Sequence, residues 1–358
     1  MNSRTRFLKA LAKEQPDRVP IWELIINEPV IESLLPGKSY VDFVEWAELD
    51  GITVFEDQKF EKNGEYLMDE WGIKWKTISA GVNYPVKGPL REKRDLEEYS
   101  PPDPDASWRL KTLEYYVDRF KGEKAIVFLG HEAFEFSHYL VGGLESLFLH
   151  YYRNKDFVHR LSEIISQYKC RVIERAVKIG ADVVLTGDDY ANRKGPLMSV
   201  KQFEEFVLPY LKKAIQTAKK LGAPFIKHTD GNLLPVLDMI VNSGIDALDP
   251  IEPIAGMDIG EIKEKYGRRI AVIGNVDCSY VLPLGSEMEV EEAVKETIAK
   301  ASPGGGHIMA SSNSIHPAVK PSNYLLMVKL TKKYGQYPID RNLIEEYGNK
   351  KYIAKYLT

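Results

Sequence analysis

The chain has 358 residues, and its 48 lysines and arginines nearly balance its 52 aspartates and glutamates, giving a formal net charge of −4. A charge this close to neutral indicates no nucleic acid or other polyanion as partner. No apolar run approaches the roughly 18 residues that a membrane-spanning helix needs, and the N-terminus lacks the apolar core of a signal peptide. Because Cys170 and Cys278 are its only cysteines and have no metal-binding spacing, we expect a cytoplasmic, reducing environment without disulfides.

The N-terminal part predicts a helix followed by a first strand. Asn2 or Ser3 can cap the helix, and the sequence PDRVP ends it. The apolar run VPIWELII comes next and ends at Asn27 and Glu28. Glu28 is therefore expected near the carboxyl end of a first strand.

The second apolar run, GITVFED, ends at Asp57 and is followed by a stretch, 58–106, that does not fit a repeat of strand and helix. Part of this stretch alternates like a hairpin and contains Trp71 and Trp75. A long insertion after a strand often forms a lid or a wall of a site, so we predict that role here. A purely structural excursion is the alternative.

The next three apolar runs end in side chains that can titrate or form hydrogen bonds. The runs are KAIVFLG, ADVVLTGD and APFIKH. The polar residues at their ends are Glu132, Asp188, Asp189, Tyr190, His228 and Asp230. An apolar strand with a polar tip is how an α/β protein presents reactive groups at the carboxyl end of its sheet.

Three further runs, IDALDP, RIAVIGN and GHIMAS, complete a set of eight, and Asn313 follows the last one. Each run is separated from the next by enough residues for a helix. Continuous apolar runs are typical of strands buried on both faces, so we predict an α/β protein with a single (β/α)8 barrel (TIM barrel) over residues 1–358. A doubly wound open sheet is the alternative, weakened because no GxGxxG follows the first run. Residues 336–358 predict a helical extension.

In a barrel the carboxyl ends of the strands converge on one mouth, where active sites lie. Closely spaced carboxylates in such a site raise one another's pKa, and a histidine can act as acid, base or metal ligand. Helix capping by Asp188 or Asp189 and a turn at Asp230 are structural alternatives. The densest predicted group is Glu132, Asp188, Asp189, His228 and Asp230.

Several stretches carry a resemblance to a known family. They are RTRFLKALAKEQPDRVP, MDEWGIKWK, GHEAFEFSHYLVGG, FEEFVLPYLKKAI, GNVD, and GGGHIMASSNSIHP with KPSNY. With these the chain resembles the uroporphyrinogen decarboxylase superfamily, and more closely its corrinoid-dependent methyltransferase branch. The resemblance implies a (β/α)8 barrel with its site at the mouth.

Departures from the family pattern bear on the substrate. Uroporphyrinogen decarboxylases carry a pair of arginines after the first strand to hold a polycarboxylate, whereas this chain reads WELIINEPVI there and has Glu28. Asp57 matches the decarboxylase aspartate after the second strand. A carboxylate-rich substrate would meet an acid instead of a guanidinium fork, so we expect that the chain is not a genuine uroporphyrinogen decarboxylase.

The resemblance also bears on a metal. Thiol-alkylating methyltransferases of the branch hold zinc with a His-x-Cys on the fifth strand and a Cys on the eighth. This chain has His228-Thr229-Asp230 and then Ser311-Ser312-Asn313, so the histidine is kept and both thiolates are replaced. Zinc accepts oxygen ligands from Asp or Glu, so His228 and Asp230 are the candidate ligands for it, with a weakened preference for a thiol acceptor.

The resemblance thus implies a methyltransferase that moves a methyl group between a small O-methyl or N-methyl donor and a partner corrinoid protein. We expect His228 and Asp230 to bind a metal or carry a proton, with Asp189, Asp188 and Glu132 as further ligands or acids. The residues expected to orient or enclose the donor are Asp57, Asn313, Glu28, Trp71 and Tyr190.

Two other functions stay open. A decarboxylase or lyase acting on a small acid would need a cationic anchor, for which Arg193 and Lys194 are candidates. Loss of both family cysteines also allows a non-catalytic module that docks a corrinoid protein.

Overall fold

The computed structural model describes residues 1–77 and 83–357. The strands in this part of the chain are β1 (Gly51–Phe55), β2 (Phe60–Asn63), β3 (Tyr66–Asp69), β4 (Lys74–Thr77), β5 (Asn83–Lys87), β6 (Ala125–Gly130), β7 (Val183–Thr186), β8 (Ala191–Asn192), β9 (Gly195–Pro196), β10 (Phe225–His228), β11 (Ala247–Asp249), β12 (Ala271–Ile273) and β13 (His307–Ile308).

The α-helices lie between and after these strands. They are α1 (Ser3–Leu11), α2 (Glu28–Leu34), α3 (Tyr40–Trp46), α4 (Lys93–Glu98), α5 (Lys111–Phe120), α6 (Phe134–Leu140), α7 (Leu144–Arg153), α8 (Lys155–Ile179), α9 (Val200–Gln202), α10 (Leu208–Lys220), α11 (Leu237–Asn242), α12 (Ile259–Tyr266), α13 (Val281–Leu284), α14 (Glu287–Ala301), α15 (Pro321–Tyr334) and α16 (Arg341–Tyr347). Asn2 caps α1 by accepting a hydrogen bond from Thr5 N at 2.9 Å. Within the described ranges, no helix is both long and apolar enough to cross a bilayer.

The central sheet is parallel and has the strand order β1-β6-β7-β10-β11-β12-β13. All seven strands run the same way, so their carboxyl ends share one rim. The predicted α/β barrel is confirmed, and the seven strands coincide with seven of the eight predicted runs.

The prediction of a regular first strand is wrong. Residues 19–26 form only isolated bridges, Ile21 with Met309 and Ile26 with Ile315. On the other side, Asp50 N donates to Ile21 O at 2.7 Å, while Ile21 N is taken by the Asp50 side chain at 2.8 Å. The segment lies between β13 and β1 and closes the barrel. It forms no regular strand, because the Asp50 carboxylate accepts a backbone N–H that a strand ladder would use.

Alternate residues of β6, β7, β10, β11 and β12 belong to two different apolar clusters, as expected when a sheet closes on itself. In β10, Ile226 belongs to the smaller, inner cluster, whereas Phe225 belongs to the larger cluster between sheet and helices. In β11, Ala247 is inner and Leu248 is outer. Phe7 of α1 joins the inner cluster, so this helix covers one end of the barrel.

The insertion after β1 contains an antiparallel sheet in the order β2-β3-β4-β5. It is tied to the barrel side by Arg109, whose Nη2 lies 3.0 Å from Glu70 Oε2. Residues 78–82 of the predicted hairpin lie outside the described part. Beyond residue 336, α16 is followed by a 3-10 turn, Tyr352–Tyr356.

Candidate active site

The last residue of β10, His228, projects into the barrel mouth. It lies on the same face of the strand as Ile226, and Asp249 lies opposite it in the paired strand β11. His228 Nδ1 is 2.5 Å from Asp249 Oδ2, and the Asp249 side chain is 2% exposed. A carboxylate on Nδ1 fixes the ring, so Nε2 is directed at Asp230, whose Oδ1 is 3.7 Å away.

Asp230 follows β10 and is held by two neighbours. Its backbone N–H donates to Asp189 Oδ1 at 3.0 Å, and Asn313 Nδ2 donates to its Oδ2. Its Oδ1 is buried and, in the described part of the chain, has no hydrogen-bond partner. One ligand atom each from Asp189, His228 and Asp230 lie within 4.8 Å of one another. We call these three residues the mouth cluster.

The charges of the mouth cluster are strongly coupled. Burial lowers the pKa of His228, but its hydrogen bond to Asp249 and the charge of Asp230 outweigh burial and raise it to about 9. Burial raises the pKa of Asp230 well above its ordinary value, although the charge of His228 opposes that rise. Burial likewise raises the pKa of Asp189, again against the charge of His228. Burial therefore disfavours the ionised carboxylates of the cluster, and a bound cation would stabilise them.

A second group lies at the carboxyl end of β6. His131 Nδ1 is 3.0 Å from Asp188 Oδ1 and 3.2 Å from Glu135 Oε2. The two Asp188 oxygens also accept the backbone N–H groups of Glu132 and Glu135, both at 3.1 Å. Burial opposes the charged imidazole, yet the two carboxylates raise the pKa of His131 to about 9. These contacts make an ion pair of His131 with Asp188 and Glu135.

Glu132 and Tyr190 belong to a network on the outer side of the barrel wall. Lys227, one residue before His228, faces outward, and its Nζ is 3.0 Å from Glu132 Oε1. Tyr190 OH donates to Glu132 Oε2 at 2.5 Å, and Thr186 Oγ1 donates to Oε1. We call these four residues the outer network. Burial raises the pKa of Glu132 to about 7 despite the charge of Lys227.

Two predicted donor-binding residues, Asp57 and Trp71, make other contacts instead. Asp57 accepts hydrogen bonds from Thr112 N at 3.0 Å and Thr112 Oγ1 at 2.6 Å, so it holds the start of α5. Trp71 is buried, with its ring 4.6 Å from that of Tyr168. Glu28 is exposed in the first turn of α2. The structure thus brings together His228, Asp230, Asp189 and Asn313. Asp57 and Trp71 contact other residues, and Glu28 is exposed.

Sequence reasoning missed the partners that hold the site. Asp249 lies at the end of the run IDALDP, but its role in orienting His228 depends on the register of β10 against β11. Lys227 could have been noticed in the sequence, because a lysine inside an apolar run indicates a buried acidic partner. Glu23 is also buried and accepts from Ser311 N at 3.1 Å and Ser311 Oγ at 2.7 Å. Its burial raises its pKa to about 8.

The mouth cluster fits a divalent metal ion such as zinc. The Nδ1 of His228 is bound to a carboxylate, which leaves Nε2 to bind a metal ion with loss of its proton. This is the usual arrangement of a metal-ligating histidine. Asp230 offers a buried oxygen without a hydrogen-bond partner in the described ranges, and Asp189 offers a third ligand within reach. One nitrogen and two oxygen ligands, with a fourth position left for a substrate, are acceptable to zinc.

Comparison with known proteins places the chain in a family. Residues 71–334 match the sequence profile described as uroporphyrinogen decarboxylase (URO-D). The chain is 23% identical over 353 residues to a uroporphyrinogen decarboxylase of Geobacter sulfurreducens, covering 92% of this chain and 99% of that protein. It is 22% identical over 366 residues to the same enzyme of Actinobacillus succinogenes, covering 92% and 97%.

Among solved structures, a methyltransferase from Methanosarcina mazei superposes with a TM-score of 0.76 and 18% sequence identity, covering 93% of this chain and 99% of that one. This likeness shows the same fold along nearly the whole chain. Because the family profile spans well over half of the residues, the chain belongs to the uroporphyrinogen decarboxylase family.

Proposed function

We propose that the protein is a methyltransferase that moves a methyl group between a small O-methyl or N-methyl compound and a partner corrinoid protein. The mouth cluster carries this proposal, because it presents an oriented imidazole beside a buried carboxylate oxygen that has no hydrogen-bond partner in the described ranges. A cytoplasmic location accompanies it, in keeping with two free cysteines.

The charge around the site argues against a carboxylate-rich substrate. Asp189, Asp230 and Glu252 surround the turn after β10, where Glu252 Oε2 accepts from Gly231 N at 2.8 Å. Arg193, a candidate carboxylate anchor, is 53% exposed, and its Nε lies 4.0 Å from Glu252 Oε1. Lys194, the other candidate, is exposed. An acid would be repelled at this rim, whereas a neutral or cationic methyl donor would not.

Each residue of the mouth cluster has a defined task. His228 Nε2, Asp230 and Asp189 would hold zinc, which when bound supplies a Lewis acid for the heteroatom of the donor. Asp249 keeps His228 Nε2 directed inward, where a metal ion would displace its proton. Asn313 keeps one Asp230 oxygen turned away, leaving Oδ1 for the ligand. The outer network anchors β7 and β10 behind this group, since Lys227 Nζ also donates to Asp188 O at 2.9 Å.

The ion pair at the end of β6 is the proposed source of the proton that the leaving group needs. The Nδ1 edge of His131 faces Asp188 and Glu135, and the side chain is 25% exposed. With a pKa of about 9, this imidazole is protonated at neutral pH. When a methyl group leaves, its heteroatom keeps the bonding electron pair and needs a proton, which His131 would donate.

The test is methyl transfer to chemically reduced cobalamin, followed by the cobalt absorption spectrum, with aryl methyl ethers and methylamines as donors. We expect at least one donor class to methylate the cobalt, and His228→Ala to lose both this activity and bound zinc. Release of carbon dioxide from a small acid, without any cobalt methylation, would instead favour the decarboxylase. If neither reaction occurs although reduced cobalamin binds, the non-catalytic docking module would replace our proposal.

A further inference from the structure

We propose that a groove between the inserted sheet and α7 binds a small phosphate ester carrying at least two negative charges. The groove encloses about 470 Å³, within the range of roughly 300–1,000 Å³ typical of ligand pockets. Its walls are residues 86–91, at the end of the insertion, and residues 141–154, which include α7. It is separate from the mouth cluster, and the inference does not rest on the proposed function.

The charged side chains that line this groove are all positive. Lys87, Arg91 and Arg153 line it, and no Asp or Glu does. Within the described ranges, none of these three cations lies in an ion pair. The Asp95 carboxylate accepts the backbone N–H groups of Arg91 at 2.7 Å and Glu92 at 3.0 Å.

Neighbouring cations outside the groove behave differently. Arg94 Nε is 3.3 Å from Glu98 Oε1, and Lys155 Nζ is 2.8 Å from Glu205 Oε1. Carboxylates are therefore available near the groove, yet Glu98 and Glu205 pair with cations that do not line it. The three cations that line it keep their charge for a ligand, and arginine suits phosphate because its donors form a fork.

The remaining lining is polar at one end and apolar at the other. Asn154 Nδ2 lies 3.2 Å from His150 Nδ1, and burial lowers the pKa of His150, so its ring stays neutral at pH 7. Val86 and Leu149 are 38% and 46% exposed and give the groove apolar wall. A ligand with a charged phosphate end and a less polar body matches this lining.

The test is calorimetric titration of the full chain with inorganic pyrophosphate and, separately, with ADP. We expect binding that weakens by at least about tenfold in Arg91→Ala/Arg153→Ala, because two charge-assisted contacts are lost. Arg94→Ala is the matched control. Its side chain is 80% exposed and ion-paired, and it lies outside the groove. We expect its affinity to stay within about twofold of the unmodified protein.

The two probes separate the sources of affinity. Equal affinity for pyrophosphate and ADP would support a site that binds mainly through the charge of the phosphates. Higher affinity for ADP would support an added apolar contribution from Val86 and Leu149. Absence of binding by both probes, unchanged affinity in the double variant, or an equal loss in Arg94→Ala would each overturn the proposal. Thermal melting of each variant without ligand verifies that the groove variants are folded.

Discussion

Lys227 and His228 are adjacent in β10 but serve two different environments. Lys227 points outward into a network in which Glu132 accepts from a lysine, a tyrosine and a threonine. His228 points inward to the mouth cluster, where Asp230 Oδ1 is buried and has no hydrogen-bond partner in the described part. Both regions bury carboxylates beside one cationic or titratable group, yet only the outer network satisfies its own atoms.

The difference separates groups that stabilise the fold from groups that await a ligand. A buried polar atom without a partner costs free energy, so it persists where another requirement maintains it. The alternation of side chains along a strand places the two regions on opposite sides of the barrel wall within one residue. Changes to the outer network should therefore affect unfolding, and changes to the mouth cluster should affect ligand binding.

The largest effect is expected from Lys227→Met. The variant leaves Glu132 buried without its cation, which should lower the free energy of unfolding by about 3–5 kcal/mol in denaturant titrations. The matched control is Lys219→Met, because that lysine is 42% exposed and 3.2 Å from Asp246. Its loss should cost less than about 1 kcal/mol. Equal losses in the two variants would remove the distinction between the outer network and an ordinary surface pair.

A smaller effect, confined to ligand binding, is expected from Asp249→Asn. The amide keeps the size of the side chain but removes the charge that orients His228 and increases its basicity. Zinc affinity should fall by about 10- to 100-fold in competition with a chelating dye. The same change at Asp246, which accepts the backbone N–H of Phe225 at the other end of β10, should leave zinc affinity unchanged. Unaltered affinity in Asp249→Asn would contradict metal binding by His228.

The fold could be predicted because strand type depends on local pattern. Seven buried runs of β-branched and apolar residues became the parallel sheet, and their polar ends became its rim. The prediction of a strand from the first run is wrong because Asp50, 29 residues further along the chain, supplies a side-chain acceptor for Ile21 N. A competing long-range contact of this kind leaves no mark in local periodicity.

The site could be predicted in part, because polar residues that follow the apolar runs gather at the barrel mouth, as Asp189 and Asn313 do beside Asp230. His228 and Asp230 were found because they end one run, whereas Glu132 was assigned to the mouth although it lies on the outer side of the wall. Asp57 matched a family position yet holds the start of α5 through Thr112. Which face a side chain takes after a strand ends depends on the loop geometry, and register across strands decides its partners.

Stability between pH 6.5 and 9 tests the ion pair of His131. Its pKa in the folded protein, about 9, lies above the ordinary value of 6.5, so the stabilisation is complete below pH 6.5 and is lost as the pH rises toward 9. We expect His131→Gln to remove about 1–2 kcal/mol of this pH-dependent stability. The measurement is urea unfolding at several pH values. A profile in His131→Gln that still falls as steeply would show that other groups carry the effect.

The smallest effect is expected from Asp57→Ala, a change that lies outside both the outer network and the mouth cluster. Asp57 accepts two hydrogen bonds from Thr112 at the start of α5, so its loss should cost about 1 kcal/mol of unfolding free energy. If Asp57 served only this helix, zinc affinity and methyl transfer would stay within about twofold of the unmodified protein once the variant is folded. Thr112→Val removes the hydroxyl donor alone and should reproduce part of the stability loss. A selective loss of methyl transfer in Asp57→Ala, without a matching loss in Thr112→Val, would show that Asp57 binds the methyl donor, as its family position implies.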